Sequence, residues 1–318
     1  MKTNLRLKNF PISFFAPVLG FAGFSLAVLK LEPLTRLSRG LSLALIYFSI
    51  GLFVVVSLVY LLKIFVFRKE ALKEFFHPVK INFFPLVAKI FLVFSIIALT
   101  LHWRSSYMIW LIGVVLQSIF SLIILRIWVL HTHFRIKHLS PAWFIPVVGN
   151  IMIPIAGMSH VSVEINWFFF TVGIFWMFVL MNIILYRVIF HEPMPEKLLP
   201  TFFITFAAPS IGFIAYTKIT GELNAFGHIL YYLSLFLFVL NLTLINAFAK
   251  IKFYLSWWAY SFPLAAFILA SLLFTRETGI GLFGVIAVIV LALLSILILL
   301  FSVRTLWAIG RKEICIEE

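Results

Sequence analysis

Aspartate is absent from this chain of 318 residues, cysteine occurs once, and only 11% of positions are charged. Each scarcity excludes something. With Cys315 alone, neither an internal disulfide nor a thiolate metal cluster can form. A chain that is 64% apolar, with a mean hydropathy of +1.15, has too few polar residues to clothe a soluble globule and reads as a polytopic membrane protein. The acidic residues are eleven glutamates, and all of them fall outside the long apolar runs. The membrane-depth carboxylate that proton- or sodium-driven carriers use, and the acidic rings of cation channels, are therefore missing. Nor do the apolar runs hold a nucleophile beside a base, which argues against an intramembrane enzyme. His131, His133 and His138 are closely spaced but read as solvated loop residues with no carboxylate among them, so no metal and no other cofactor is expected.

Apolar runs of about 20 residues are plentiful. They predict ten spans, at residues 10–29, 41–62, 81–101, 105–125, 139–159, 165–186, 198–217, 223–249, 253–275 and 278–303, forming a single transmembrane domain over 1–318. The start is basic at Lys2 to Lys8 and apolar from Phe10 to Leu29, as in a signal peptide, but no good cleavage site follows and Pro17 matches later repeats. We therefore read it as the first span.

The net charge of +14 follows topology rather than nucleic acid. Basic residues crowd the tails and even-numbered loops, among them Arg6, Lys63, Arg126, Arg187, Arg304 and Lys312. The opposite loops hold Lys30, Arg36, Arg39, Arg104, Lys218 and Arg276. That bias puts both termini in the cytoplasm. Residues 67–80, where basic and aromatic side chains alternate, suit an interfacial helix.

Proline organises the rest. Pro17 (FAPVLG), Pro85 (FFPLVAK), Pro146 (FIPVVGN), Pro209 (FAAPSIGF) and Pro263 (SFPLAAF) are separated by 68, 61, 63 and 54 residues, each with a phenylalanine one to three residues before it. That spacing is one helical hairpin plus its connections, so all five odd spans run in the same direction, a parallel repeat. A proline within a span frees a carbonyl, that of Ala259 in the ninth, which lipid cannot satisfy. Such helices belong inside. The expected fold is all-α, five tandem hairpins with quasi-five-fold symmetry, the kinked odd helices surrounding a central pore and the smoother even helices outside. Small residues such as Gly20, Gly23 and Gly149 suit close helix approach on the odd spans.

A lumen without carboxylates in a basic protein favours anions, bound weakly by amide and hydroxyl groups such as those of Asn150, Ser210 and Ser261 and by helix-end dipoles. Lys89, the one basic residue inside a span, carries two readings: a cationic attractor beside the lumen, or a side chain snorkelling to the cytoplasmic interface.

The segments WAYSFPLAAF, FIPVVGN and FAPVLGFAGFSLA resemble the tellurite-resistance/dicarboxylate transporter family. That family includes bacterial TehA proteins, fungal malate and sulfite permeases and plant guard-cell slow anion channels. The likeness covers all ten spans and is nearest to the bacterial TehA members. It implies a homotrimer in the bacterial inner membrane, each protomer with its own pore passing chloride, nitrate and other small monovalent anions, and a link to tellurite resistance. It also implies a pore blocked at mid-membrane by a phenylalanine, whose matching position here is Phe262. A bulky ring fixed by a neighbouring backbone break can stop ions by dewetting. Phe84, before Pro85, is a candidate second ring, and Phe15, Phe144 and Phe206 are further pore-lining candidates. The resulting expectation is a gated anion channel whose partners are small inorganic anions and membrane lipids. The alternatives are a secondary carrier for tellurite, sulfite or C4-dicarboxylates and a non-conducting scaffold.

Overall fold

Hydrocarbon offers no partner to a backbone N–H or C=O, so only helices and closed barrels can cross it. The computed structural model describes residues 6–34, 38–131 and 134–315, which are helical with no strand among them. In chain order the α-helices are α1 (Phe15–Leu31), α2 (Arg39–Val66), α3 (Arg68–Phe75), α4 (Leu86–Thr100), α5 (Ser106–Leu130), α6 (Phe144–Val147) and α7 (Ile153–Gly157). They continue with α8 (Val163–Phe190), α9 (Ile204–Thr220), α10 (Ala225–Thr243), α11 (Ile245–Ala249), α12 (Ser261–Thr278) and α13 (Gly281–Gly310). Among the described residues nine helical segments are long and apolar enough to cross a membrane, and Pro141–Gly157 is a shorter apolar one at the fifth position. The chain is a multi-pass membrane protein.

Inner and outer helices separate by burial. The odd spans long enough to cross are 61–89% buried over their most apolar stretch, and the even ones 22–39%. Packing closes a ring: α1 against α4, α4 against α7, α7 against α9, α9 against α12, and α12 back against α1. Each outer helix, α2, α5, α8, α10 and α13, packs on the inner segment of its own hairpin. Two hairpin turns depend on glycine, since Gly221 after α9 and Gly279 after α12 have φ of 77° and 72°, a left-handed C-cap. Asn224 then starts α10, its Oδ1 accepting from the amides of Phe226 and Gly227 at 3.1 and 3.4 Å.

The prolines act differently from the mid-span kinks expected. Each inner segment begins as a 3₁₀ helix: Ile12–Phe14, Lys80–Phe83, Pro141–Trp143, Glu196–Phe203 and Leu255–Tyr260. Pro17, Pro146 and Pro263 are the third residues of α1, α6 and α12, and Pro85 is the N-cap of α4. A first-turn N–H has no intrahelical acceptor, so proline there removes little. The break is thus a 3₁₀-to-α junction, with Pro209 alone deep within its α-helix. The fifth span, expected whole over 139–159, is broken again by a 3₁₀ stretch at Val148–Met152, with Pro146 and Pro154 on either side. The span expected over 223–249 divides into α10 and α11.

Outer helices hydrogen-bond to the inner backbone near these junctions. Gln117 Nε2 and Ser121 Oγ of α5 both donate to the Pro146 carbonyl at 2.6 Å. Trp110 Nε1 donates to the Ile153 carbonyl at 2.9 Å, and Ser234 Oγ of α10 to that of Phe206 at 3.0 Å. Polar atoms on otherwise apolar outer helices thus reach backbone carbonyls beside the breaks, where lipid could offer no donor.

Charge placement needs correction as well. α2 and α8 have 28 residues and α13 has 30, or roughly 42–45 Å at 1.5 Å per residue, longer than a hydrocarbon core of about 30 Å. Lys63, Arg126, Arg187 and Arg304, expected in loops, accordingly lie in the later turns of helices, with Lys63 and Arg187 buried. Glu164, Glu196 and Glu277 lie in terminal turns of the membrane segments. Of residues 67–80, expected as one helix, only 68–75 form one, α3, and its Glu74 is buried. Arg36 and His133 lie outside the described residues.

Candidate functional site: an axial cavity

Where five helices pack in a ring, side chains must fill the axis or leave it open. Here a cavity of about 80 Å³ remains, and every residue lining it comes from the five inner segments. It is large enough for more than one water, which needs about 10–15 Å³ on this measure. The lining follows a rule: the residue just before the proline faces the cavity in four of five repeats, as Ala16, Ile145, Ala208 and Phe262. Leu19, Val148 and Ile211, each three residues further on, continue the same helix face. The third span is the exception. Its proline precedes the first α-helical residue, which shifts the register, and Phe83, Leu86 and Lys89 face the cavity.

Phe262 is half-buried at this wall and rests on α1, where an added Cβ at Gly23 would lie 3.0 Å from its Cδ2. Glycine there is what lets the ring lie against the neighbouring helix. One turn earlier, Gly20 leaves room for Ser261 and Trp258 in the same way. The equivalent positions that also face the cavity carry alanine or isoleucine, and Phe84, before Pro85, does not line it, so α12 alone sets a pre-proline ring on the wall. Ala259, in the 3₁₀ turn before Pro263, also lines the cavity.

The other sequence candidates divide. Phe144 and Lys89 line the cavity with Phe262. Phe84 instead turns outward, its ring 4.9 Å from Phe75 and 6.2 Å from Tyr60. Phe15 packs between Phe53 and Tyr60, each 6.1 Å away, and Phe206 against Phe238 and Phe267 at 5.5 and 6.0 Å. Ser261 is fully buried and donates to the Trp258 carbonyl at 2.6 Å. Asn150 turns toward α5, donating to Ser121 Oγ at 3.0 Å and to the Val147 carbonyl at 2.7 Å. Ser210 bonds Phe206 and Ser234 rather than the axis. Of the prolines, only Pro263 borders the cavity.

Lys89 is buried, with a side chain that points inward beside Gly149 rather than toward an interface. It is the one charged residue of the lining, in a wall otherwise made of apolar side chains and Gly149. Elsewhere, His138 Nδ1 accepts from the Arg135 amide at 3.2 Å, and no three His, Cys or Glu side chains among the described residues gather as a metal site.

Five inner segments walling an apolar cavity with one cation, inside a sheath of five outer helices, define a multi-pass helical membrane protein built around its axis. Residues 9–306 match the profile of the SLAC1 family, described as voltage-dependent anion channel, and the chain belongs to that family. It is 31% identical over 290 residues to the S-type anion channel SLAH2 of Arabidopsis thaliana, covering 88% of this chain and 56% of that one. The guard cell S-type anion channel SLAC1 of the same plant is 29% identical over 268 residues, 81% of this chain and 48% of that protein. An uncharacterized transporter of Methanocaldococcus jannaschii is 29% identical over 292 residues, covering 83% of each. The chain thus spans about half the length of its plant relatives and most of the archaeal one.

Proposed function

We propose that this protein is a gated channel for small monovalent anions such as chloride and nitrate, with Phe262 as the gate. The observation that carries the reading is the position of Phe262, the one aromatic among the pre-proline residues on the cavity wall. A wall of aliphatic and aromatic groups holds water poorly, so a ring set across it stops ions without filling the passage. The cavity's single charge is positive, which suits anions, and the wall offers no carboxylate to a coupling proton.

In this reading residues 1–318 act as a single transmembrane domain in the bacterial inner membrane, with both termini in the cytoplasm as the basic bias requires. The assembly is a homotrimer with one pore per protomer, a state that rests on the family resemblance, as does the link to tellurite resistance. The test is chloride flux into liposomes holding the purified protein. Phe262→Ala is expected to conduct well above the parent protein, without saturating at millimolar chloride. A Phe262→Ala rate equal to the parent's would overturn the gate. Saturable flux tied to a proton gradient would instead favour a carrier.

A further inference from the structure

We propose that Lys89, in the room left by Gly149, forms a discrete binding site for one small monovalent anion in the cavity wall. The proposal rests on the anion-channel reading and adds to it the place where the ion pauses. Lys89 is 6% exposed, and its ammonium has no hydrogen-bond or ion-pair partner among the described residues. A charge held this way inside a protein ordinarily acquires a counter-ion or a ring of acceptors. Here Lys89 lines the cavity, which is open to an ion.

Gly149 makes the room. A Cβ at that position would run into Lys89 Nζ and would lie 3.0 Å from both terminal atoms of the Gln117 side chain. Any other residue at 149 would therefore displace the ammonium from its place. Gln117, fully buried on α5, spends its Nε2 on the Pro146 carbonyl at 2.6 Å and on Ser121 Oγ at 3.2 Å. Its Oε1 is buried with no partner. Oε1 and the ammonium both lie beside Gly149 without bonding one another, so all three donors of Lys89 are left for an ion in the cavity.

The chemistry selects the ligand. One positive charge compensates one negative charge, and the surrounding wall is apolar, so a divalent anion would enter with half its charge unanswered. Halide and nitrate fit that description, whereas sulfite dianions and dicarboxylates do not. A single site with few donors also holds its ion loosely enough to release it, as conduction requires.

The experiment uses the full chain, in liposomes and in crystals. In a Phe262→Ala background, Lys89→Met is expected to lower chloride flux by about tenfold and to move the reversal potential in a potassium chloride gradient toward zero, the effect of deleting one unit charge beside the path. Lys89→Arg keeps the charge and should retain most of the anion preference. Independently, crystals of the parent protein grown in bromide should show anomalous density beside Lys89 Nζ, lost in Lys89→Met. If Phe262→Ala passes no chloride, the channel reading fails, while the bromide result still decides the site. If Phe262→Ala conducts, Lys89→Met conducts equally and bromide density is absent or persists in that variant, the site is overturned and the channel reading stands.

Discussion

Phe262 and Gly23 face one another across α12 and α1, and that contact holds the ring at the cavity wall. A Cβ added at residue 23 would lie 3.0 Å from the ring and 3.1 Å from Ala265 Cβ, closer than packed carbons tolerate. Ala265 is on a helix backbone and cannot give, so the ring must move toward the cavity. Gly23→Ala is therefore expected to lower whatever chloride flux the parent protein shows, and to cost about 1–3 kcal/mol as overpacking. In a Phe262→Ala background the same change should have little effect on flux. Liposome rates for the two single variants and the double variant measure this coupling, and additive effects would mean the ring does not rest on Gly23. The sequence carried Phe262 and Gly23 separately, one through the resemblance and one as a small residue on an odd span. Their pairing depends on helix azimuth, and one residue is a rotation of 100°. This is why Phe15 and Phe206, one or two residues further from their prolines than Phe262 is from Pro263, turn into helix packing instead of the axis.

At the scale of elements, α3 is tied into the bundle by one carboxylate. Glu74 accepts from the Ile12 amide at 2.8 Å and from Tyr60 Oη at 3.1 Å, and it pairs with Lys63, whose ammonium also donates to the Phe10 carbonyl at 2.8 Å. One carboxylate thereby joins α3, the last turns of α2 and the 3₁₀ start of the first inner segment. Removing half of a buried pair leaves the other charge unanswered, typically at about 3–5 kcal/mol. Glu74→Gln is expected to lower the melting temperature in detergent sharply, and Glu74→Leu with Lys63→Met to recover most of the loss. Failure of the double variant to recover would show that the bonds to Ile12 and Tyr60, not the ion pair, hold the joint. The helix itself was legible in the basic and aromatic alternation of FRKEALKEFF, but its buried glutamate was not, because nothing local sets Glu74 apart from exposed neighbours. The 3₁₀ starts were hidden for a related reason. Proline marks where an α-helix begins as readily as where it bends, and the four 3₁₀ residues Lys80–Phe83 turn side chains about 80° further than α winding would. That difference decides which of Phe83 and Phe84 meets the axis.

For the whole molecule, the spacing of Pro17, Pro85, Pro146, Pro209 and Pro263 was enough to predict five co-oriented hairpins and an axis, since a hairpin has little freedom in length once it must cross a bilayer twice. The size and lining of the space on that axis were out of reach, because they depend on how far helices approach at Gly20, Gly23 and Gly149. The cavity of about 80 Å³, apolar save for one lysine, bears directly on the choice between channel and carrier. The cost of stripping water from an ion grows with the square of its charge, and a low-dielectric wall returns little of it. Malate and sulfite, as dianions, meet that cost with a single ammonium to answer them; chloride and nitrate meet a quarter of it with the same ammonium. Phe262→Ala liposomes loaded with each anion in turn are accordingly expected to pass chloride and nitrate at rates linear in concentration, and to pass malate at least about a hundredfold more slowly, a ratio that about 2.7 kcal/mol of added barrier suffices to produce. A rate for malate equal to that for chloride, or one that follows an imposed proton gradient, would mean that the axis binds and carries its solute, and that the missing carboxylate is supplied outside the cavity wall.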